Sequence, residues 1–493
     1  MDEREIKERA KHGFSVTVLR QVVVQASGVI AWIILARCLA PADFGVFTAV
    51  GLAVQLFSVL SEAGMGLALV RRHQDPTPEE LDAVFTAQLA ATSVACLAAA
   101  AALPFLPRVL PSMSEAGVRI GWILLLCTWL SVFRIVPNAL LERRLSFARI
   151  AMVELAENVV FNVVAVVAAL YGVGVWSLAL AALTRSVVGV AMLRLYVQWR
   201  IAFRLRVPGL KAILLTGLGF QSFSVVSFLK DLALPAFMVA MVGTAQFGYF
   251  AWGRDLVLKL ITFSRLFGKV AVPTMARLSS AQADLTSTLR QSSNLLGLFY
   301  WPAVTVLIGA SGFYIPWVFS AKWLPAEPVI RLMALVLLLQ VWASPMWALI
   351  QACSPASWPL KAVLLLTGFE AIAGYVAVRT AGITGAAAVI LGSTLLAILL
   401  YLPEIRRVAP GARSLFQPFG AKLAANVLLG AAAAFAICRC GDRLAAGVAV
   451  ATSLCLLSGA VSWLASAEDR ALISRITSWG LAAPRAWRTA GGA

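Results

Sequence analysis

The sequence is built from apolar runs of about twenty residues, which are separated by short clusters of charged residues, Pro and Gly. A helix needs about 20 apolar residues to cross the hydrocarbon core of a bilayer, so each run predicts one membrane-spanning helix. About fourteen such runs are present, and they predict an all-α polytopic membrane protein. Their approximate limits are 16–36, 44–69, 82–106, 117–141, 150–170, 175–197, 212–242, 246–276, 292–314, 328–351, 359–379, 383–403, 418–438 and 444–466.

The composition excludes an ordinary soluble protein. Of the 493 residues, 61% are hydrophobic and 13% are charged, which is about half the usual share of charged residues. A formal net charge of +18 would fit a nucleic-acid-binding protein. In a membrane protein, however, basic residues gather in the cytoplasmic loops. We therefore expect membrane lipid, and not nucleic acid, as a partner of this chain.

The basic residues are divided unevenly between alternate loops. If the N-terminus lies inside, roughly 26 Lys and Arg residues are cytoplasmic and roughly 7 are outside. This difference follows the positive-inside rule, and it predicts an even number of spans with both termini in the cytoplasm. The tail from residue 468 alternates apolar and basic residues, which is typical of a short amphipathic helix on the inner membrane surface.

An internal repeat relates the two halves of the chain. Residues 42–47 (ADFGVF) and 245–250 (AQFGYF) share the pattern A-x-F-G-x-F, 203 residues apart, each at the start of a predicted helix. Gly172 and Gly382 precede two further helices, 210 residues apart. The repeat predicts two six-helix lobes related by a pseudo-two-fold axis along the membrane normal. The predicted domains are an N-lobe (1–206), a C-lobe (207–410), an additional helix pair (411–467) and a cytoplasmic tail (468–493).

The eighth apolar run carries several charges that a lipid-facing helix would exclude. A charge at membrane depth costs a few kcal/mol on insertion scales unless it faces water or a partner. Arg254 and Arg265 are eleven residues apart and share a helix face, while Asp255 and Lys259 are four apart and can pair. One side of this helix is therefore predicted to face a polar cavity. For Arg265, cavity lining and snorkelling to the headgroups both remain open.

Further polar residues recur at helical spacing in other runs. Small ones favour interhelical hydrogen bonds, whereas the larger ones favour a water-filled lumen. Glu154 and Glu157 fit a cytoplasmic gate, a salt bridge or a coupling role, and Glu370 is a candidate proton site. The candidate substrate-binding residues are Arg254, Arg134, Lys259, Arg20, Gln21, Gln25, Gln55, Gln221, Lys230 and Arg265. The candidate ion-coupling or gate residues are Glu62, Asp231, Asp255, Glu154 and Glu157.

Motifs of common catalytic sites are absent from the sequence. It contains no G-x-x-x-x-G-K-[ST], H-E-x-x-H or G-x-S-x-G pattern, and its two histidines are too few and too far apart for a zinc site. These absences favour transport over catalysis. We expect neither an enzyme nor a bound metal or cofactor.

Several short motifs resemble those of one transporter family. Residues 35–45 (LARCLAPADFG) resemble the ARxLxPxDFG signature of the polysaccharide-transporter branch of the multidrug/oligosaccharidyl-lipid/polysaccharide (MOP) exporters, which includes O-antigen and capsule repeat-unit flippases. The resemblance covers about residues 15–405. The other matching segments are 62–66 (EAGMG), 142–147 (ERRLSF), 172–178 (GVGVWSL), 247–250 (FGYF), 272–278 (VPTMARL) and 319–323 (FSAKW).

The resemblance implies a fold like that of MATE multidrug exporters and the flippase MurJ, with two six-helix lobes, a trailing helix pair and a central cationic cavity. It implies an undecaprenyl-pyrophosphate-linked oligosaccharide as substrate, moved from the inner to the outer leaflet of the bacterial cytoplasmic membrane. A polysaccharide polymerase and co-polymerase are the further partners it suggests. By this resemblance Arg254 lies where such flippases carry cavity cations, and it is the first candidate for binding the substrate. Arg20, Arg134 and Lys259 are the next candidates.

Two alternatives remain. A MATE-type drug/cation antiporter would need an acidic lumen for cationic drugs, which the excess of bases disfavours. A membrane-embedded polysaccharide polymerase or glycosyltransferase would need a sizeable outward loop or an acidic catalytic motif. The predicted outer loops are short, for example residues 171–174 and 242–246.

Overall fold

The computed structural model describes residues 27–62, 64–71, 74–109, 113, 115–144, 146–204, 210–280, 285–355, 357–408, 428, 429 and 432. Every regular element in these ranges is helical. The helices are α1 (Ser27–Cys38), α2 (Pro41–Glu62), α3 (Met65–Arg71), α4 (Pro78–Ala102), α5 (Leu106–Val109), α6 (Glu115–Arg143), α7 (Phe147–Leu170), α8 (Trp176–Tyr196), α9 (Leu210–Ser280), α10 (Leu285–Gly309), α11 (Ser311–Tyr314), α12 (Glu327–Cys353) and α13 (Ser357–Val408).

The described helices confirm an all-α polytopic membrane protein. Eight of them are long and apolar enough to cross a membrane, or nine if the two segments of α10, bent by 42°, form one span. Two of the eight candidates, 225–261 and 358–408, each extend over two predicted apolar runs. The predicted number of fourteen spans stays a prediction, because runs 418–438 and 444–466 lie almost entirely outside the described residues.

Glycines divide the two longest helices at the predicted boundaries. α9 is interrupted at Gly243 (φ 83°, ψ 171°) and α13 at Gly382 (φ 56°, ψ −131°). A residue with a side chain rarely adopts these positive φ values, whereas Gly adopts them readily. α9 therefore consists of helices 210–242 and 244–280, and α13 of helices 357–381 and 383–408. These four segments match four separate apolar runs of the sequence.

The second apolar run differs from its prediction. Residues 44–69 were expected to form one helix, but α2 ends at Glu62 and α3 begins at Met65. Gly64 lies in this break with φ +63°. Its left-handed backbone ends the regular helix, and such a conformation is common at the C-terminal ends of helices.

The chain forms two compact units, Met1–Ala251 and Trp252–Ala493. In the N-terminal unit, α6 packs against α2, α3, α4 and α8, and α8 also packs against α7. One core cluster contains Met65, Leu69, Phe85 and Val136. A second joins α1, α7 and α8 through Leu35, Ala165 and Leu178. A third, with Leu141, Val153 and Leu193, holds α6, α7 and α8 side by side.

Polar contacts join the ends of α3, α4, α6 and α8. Arg143 donates hydrogen bonds to the carbonyl oxygens of Leu69 (2.9 Å) and Gln74 (3.1 Å), and it pairs with Asp75 at 2.7 Å.

The extended segment 197–204 follows α8 and lies on α4. There the indole Nε1 of Trp199 donates to Asp82 Oδ1 at 3.2 Å.

In the C-terminal unit, α12 packs against α10 and α13. The chain before α12 is irregular: a π-helix (Ile315–Phe319) is followed by a 3-10 helix (Ala321–Ala326). Ser320 joins them with φ 142° and ψ 150°, a conformation that is almost exclusive to Gly. The buried ring of Trp323 stacks on Trp252 of α9 with 4.3 Å between the ring centroids. This stack packs the turn of α9 that carries Arg254 against the 3-10 helix before α12.

Candidate functional site

A buried cluster of three charged side chains lies among α6, α7 and α8. Arg134 Nη2 is 2.7 Å from Glu157 Oε1, and Arg185 Nε is 3.9 Å from Glu157 Oε2. The Glu157 side chain is 2% exposed, that of Arg134 25% and that of Arg185 44%. Two guanidinium groups therefore share one carboxylate, so the three side chains carry a net charge of +1 when all are ionised.

The cluster lies near the middle of its helices. Glu157 is ten residues from the start of α7, about 15 Å at 1.5 Å per residue. This is half of the roughly 30 Å hydrocarbon core, where charged side chains are rare and usually functional. Gly189 of α8 makes space for the carboxylate, because a β-carbon there would lie 1.8 Å from Glu157 Oε1. The position of Glu157 therefore depends on a glycine of the neighbouring helix.

A second group of charges lies on α9, in the C-terminal unit. Arg254 Nη2 is 3.4 Å from Asp255 Oδ1, and the Arg254 side chain is 21% exposed. The Asp255 side chain is 46% exposed, so this ion pair is only partly buried in the protein. Lys259, one turn further along, is half-buried. The predicted pairing of Asp255 with Lys259 stays a prediction.

The backbone beneath Arg254 is packed closely against α12. A β-carbon at Gly253 would lie 3.3 Å from Ile330 Cγ1 and 3.4 Å from the carbonyl oxygen of Ala326. The preceding Trp252 is 1% exposed, and its ring contacts the edge of Phe319 at a centroid distance of 5.0 Å. Packing on both sides thus holds this turn of α9 at the start of α12.

The first half of α9 carries three more predicted site residues. Gln221 is buried, and its side-chain Nε2 donates a hydrogen bond to the carbonyl oxygen of Val59 in α2. Lys230 and Asp231 are adjacent and contact each other at 3.2 Å. The Asp231 side chain is largely exposed. Gln221 therefore contacts another helix in this structure, while the acidic side of the Lys230–Asp231 pair is exposed at the protein surface.

The remaining predicted residues are placed less completely. Gln55 on α2 and Glu154 on α7 are exposed. Glu62 ends α2 and Arg265 lies on α9, but their side chains are outside the described part of the structure. Arg20, Gln21 and Gln25 also lie outside the described residues. Their predicted roles stay predictions.

The structure places one further residue, Arg185, in the charged cluster, beyond the candidates predicted from the sequence. Arg185 lies in the middle of the apolar helix α8, and the signal that identified Arg254, a charge inside an apolar run, was present there too. Glu370, the candidate proton site, is buried and accepts a hydrogen bond from Ser393 Oγ. This bond joins the two halves of α13, so Glu370 has at least a structural role.

Comparison with known proteins gives a family match. The profile of a family described as polysaccharide biosynthesis protein matches residues 34–328, which is more than half of the chain. A relative from Escherichia coli (strain K12), the lipopolysaccharide biosynthesis protein WzxC, is 22% identical over 362 residues, and the alignment covers 70% of each chain.

Solved structures share the fold. The lipid II flippase MurJ in an inward closed conformation superposes with a TM-score of 0.68 at 13% identity, covering 93% of this chain and 99% of MurJ. An inward-facing MATE-family multidrug resistance transporter superposes with a TM-score of 0.60 at 16% identity, covering 81% of this chain and 99% of the transporter. The family match agrees with the resemblance of the motifs: the chain belongs to the polysaccharide biosynthesis protein family, and it has the fold of MurJ and of the MATE-family transporter.

Proposed function

We propose that this protein is a flippase for undecaprenyl-pyrophosphate-linked oligosaccharide repeat units. It moves them from the inner to the outer leaflet of the bacterial cytoplasmic membrane, where they serve the synthesis of O-antigen, capsule or exopolysaccharide. The observation that carries the proposal is the position of Arg254, which lies within a membrane-spanning helix, is partly exposed and pairs with Asp255, whose side chain is 46% exposed. Membership of the polysaccharide biosynthesis protein family supports a glycan as cargo.

The role of the cations follows from the charge of the substrate. A diphosphate carries about two negative charges, which a guanidinium binds through short, charge-assisted hydrogen bonds. Arg254 is the first binding residue, and Arg134, Lys259, Lys230, Arg265 and Arg20 add positive charge to the pathway. In a site of low dielectric constant these attractions are stronger than in water. The cations would thus compensate the loss of hydration when the diphosphate enters the membrane.

The uncharged part of the substrate needs different contacts. Sugar hydroxyls donate and accept hydrogen bonds, as primary amides do, so Gln21, Gln25, Gln55 and Gln221 are the proposed sugar contacts. For Gln221 this requires release of the Val59 carbonyl oxygen that it contacts here. The isoprenoid tail stays in the lipid, since its transfer to water would be unfavourable.

Alternating access would expose the binding residues to each side of the membrane in turn. Five acidic residues are proposed to carry a coupling ion or proton, or to act as a gate. They are Glu62, Asp231, Asp255, Glu154 and Glu157. Of these, Asp231 and Asp255 lie beside the cations Lys230 and Arg254. A polysaccharide polymerase and co-polymerase are the proposed protein partners, because they consume repeat units in the outer leaflet.

The test is transport of a defined substrate by the purified protein. Proteoliposomes are loaded with an undecaprenyl-pyrophosphate oligosaccharide that carries a fluorescent sugar, and a membrane-impermeant glycosidase reports its leaflet. We expect the protected fraction to exchange only in vesicles that contain the protein. Absence of exchange, together with gradient-driven export of ethidium, would contradict the proposal and favour a drug antiporter.

A further inference from the structure

We propose that Glu157 and an anionic ligand compete for Arg134 and Arg185, and that Glu157 takes up one proton from the aqueous phase when the anion binds. The ligand class is a diphosphate, and in this respect the inference rests on the proposed function. The cluster would then do more than bind: it would couple the arrival of substrate to proton uptake.

Both arginines have hydrogen-bonding capacity that Glu157 leaves unused. A guanidinium has five N–H donors. Arg134 contacts Glu157 through Nη2, while its Nε is buried without an acceptor among the described residues. Arg185 reaches Glu157 through a long contact of 3.9 Å, and 44% of its side chain is exposed. A diphosphate can therefore approach Arg185 first and offer acceptor oxygens to Arg134.

Displacement of Glu157 from the arginines makes its negative charge unfavourable. The side chain is 2% exposed near the middle of a membrane-spanning helix, and a buried carboxylate that loses its partner tends to take up a proton. Among the described residues, the charged groups that face it are Arg134 from α6, Arg185 from α8 and Glu154 from α7 itself. α1 presents an uncharged residue, Ser27, to Asn162 of α7. Once the arginines bind the diphosphate, the remaining charged neighbour, Glu154, is negative and also favours a protonated Glu157.

The exchange predicts a proton count that a purely structural ion pair would not give. Inorganic pyrophosphate is titrated into the purified full-length protein by calorimetry, in two buffers with different ionisation enthalpies. Binding to arginines favours the deprotonated form of pyrophosphate, so pyrophosphate itself can only release protons. The wild type is expected to take up about one proton more per pyrophosphate bound than Glu157→Gln does. Glu157→Gln removes the competing charge, so its affinity rises about tenfold. Arg185→Gln is expected to weaken binding about tenfold.

Glu115→Gln is the matched control, since it removes the same charge from an exposed pair with Arg119 at the other end of α6. It should bind pyrophosphate as the wild type does. The exchange is contradicted if the wild type binds pyrophosphate without extra proton uptake. This result does not depend on whether any variant folds, and it leaves the flippase proposal intact. Equal affinity of Glu157→Gln and the wild type also contradicts it. If the wild type does not bind pyrophosphate, the exchange is wrong, while transport of the lipid-linked oligosaccharide still decides the proposed function.

Discussion

Gly45 and Gly248 face each other where the start of α2 meets the second half of α9. A β-carbon at Gly45 would lie 1.8 Å from the carbonyl oxygen of Thr244, and one at Gly248 would lie 1.8 Å from that of Pro41. The contact is reciprocal, and both residues are the glycine of the repeated A-x-F-G-x-F motif. The motif therefore serves close packing of two membrane helices, for which small residues are required.

Gly45→Ala or Gly248→Ala should destabilise the protein by about 1–3 kcal/mol, because the added methyl group forces the two backbones apart. Gly51→Ala is the matched control on α2, where a β-carbon meets nothing within 4 Å. Since Ala favours a helix over Gly by about 1 kcal/mol, this control should be neutral or stabilising. Thermal unfolding in detergent, followed by gel filtration, gives the comparison. Wild-type stability of Gly45→Ala would contradict the close contact.

Gly189→Ala should disrupt the Arg134–Glu157 pair, because the new methyl group occupies the position of the Glu157 carboxylate. Breaking a buried pair costs about 3–5 kcal/mol when a charge is left without its partner. We expect a large fall in the unfolding temperature, and Gly28→Ala, whose β-carbon meets nothing within 4 Å, should show none. If both variants unfold at the same temperature, the position of the Glu157 carboxylate does not depend on the absence of a side chain at Gly189.

Arg143→Ala should destabilise the end of α6 by about 2–3 kcal/mol, since several backbone carbonyl groups lose a charged donor. The neighbouring Arg144 has the same charge and is exposed, so Arg144→Ala controls for the loss of charge. Proteolysis of the segment between α3 and α4 measures the effect locally. Faster cleavage in Arg143→Ala alone is the expected result; equal cleavage in both variants would contradict the role of Arg143.

Ser320→Gly should stabilise the irregular segment before α12. The backbone of Ser320 (φ 142°, ψ 150°) is strained by about 1–3 kcal/mol for a residue with a side chain, while Gly loses about 1 kcal/mol more through the entropy of the unfolded chain. The net expectation is a gain of about 1 kcal/mol, seen as a higher unfolding temperature. Ser320→Ala keeps the β-carbon and should give no gain. A lower unfolding temperature for Ser320→Gly would show that the hydroxyl group outweighs the strain.

Much of the fold followed from the sequence, because membrane helices leave a simple signal. Apolar runs of sufficient length predicted the helices, and the breaks at Gly243 and Gly382 fell between runs as expected. The break at Gly64 was missed since the apolar character continues through it. Hydropathy records the burial of side chains in lipid and is insensitive to one residue of left-handed backbone.

The candidate site was less predictable, because partners depend on which helix faces meet. Arg134 and Glu157 were each selected as charges within apolar runs, but their contact depends on the packing of α6 against α7 and on the space at Gly189. Arg185 carried the same signal and could have been found. Gln221 was predicted to contact sugar. Its hydrogen bond to the Val59 carbonyl oxygen could not be predicted from the sequence, because it depends on where α2 lies.

The most direct test of the account is the rate at which reconstituted Arg254→Ala moves the fluorescent lipid-linked oligosaccharide between leaflets. Leu260→Ala, which shortens an exposed apolar side chain on the same helix, is the matched control, and Arg254→Lys keeps the charge without the planar donors. The account predicts a loss of about 10- to 100-fold for Arg254→Ala, an intermediate rate for Arg254→Lys and the wild-type rate for Leu260→Ala. Transport by Arg254→Ala at the wild-type rate would contradict it.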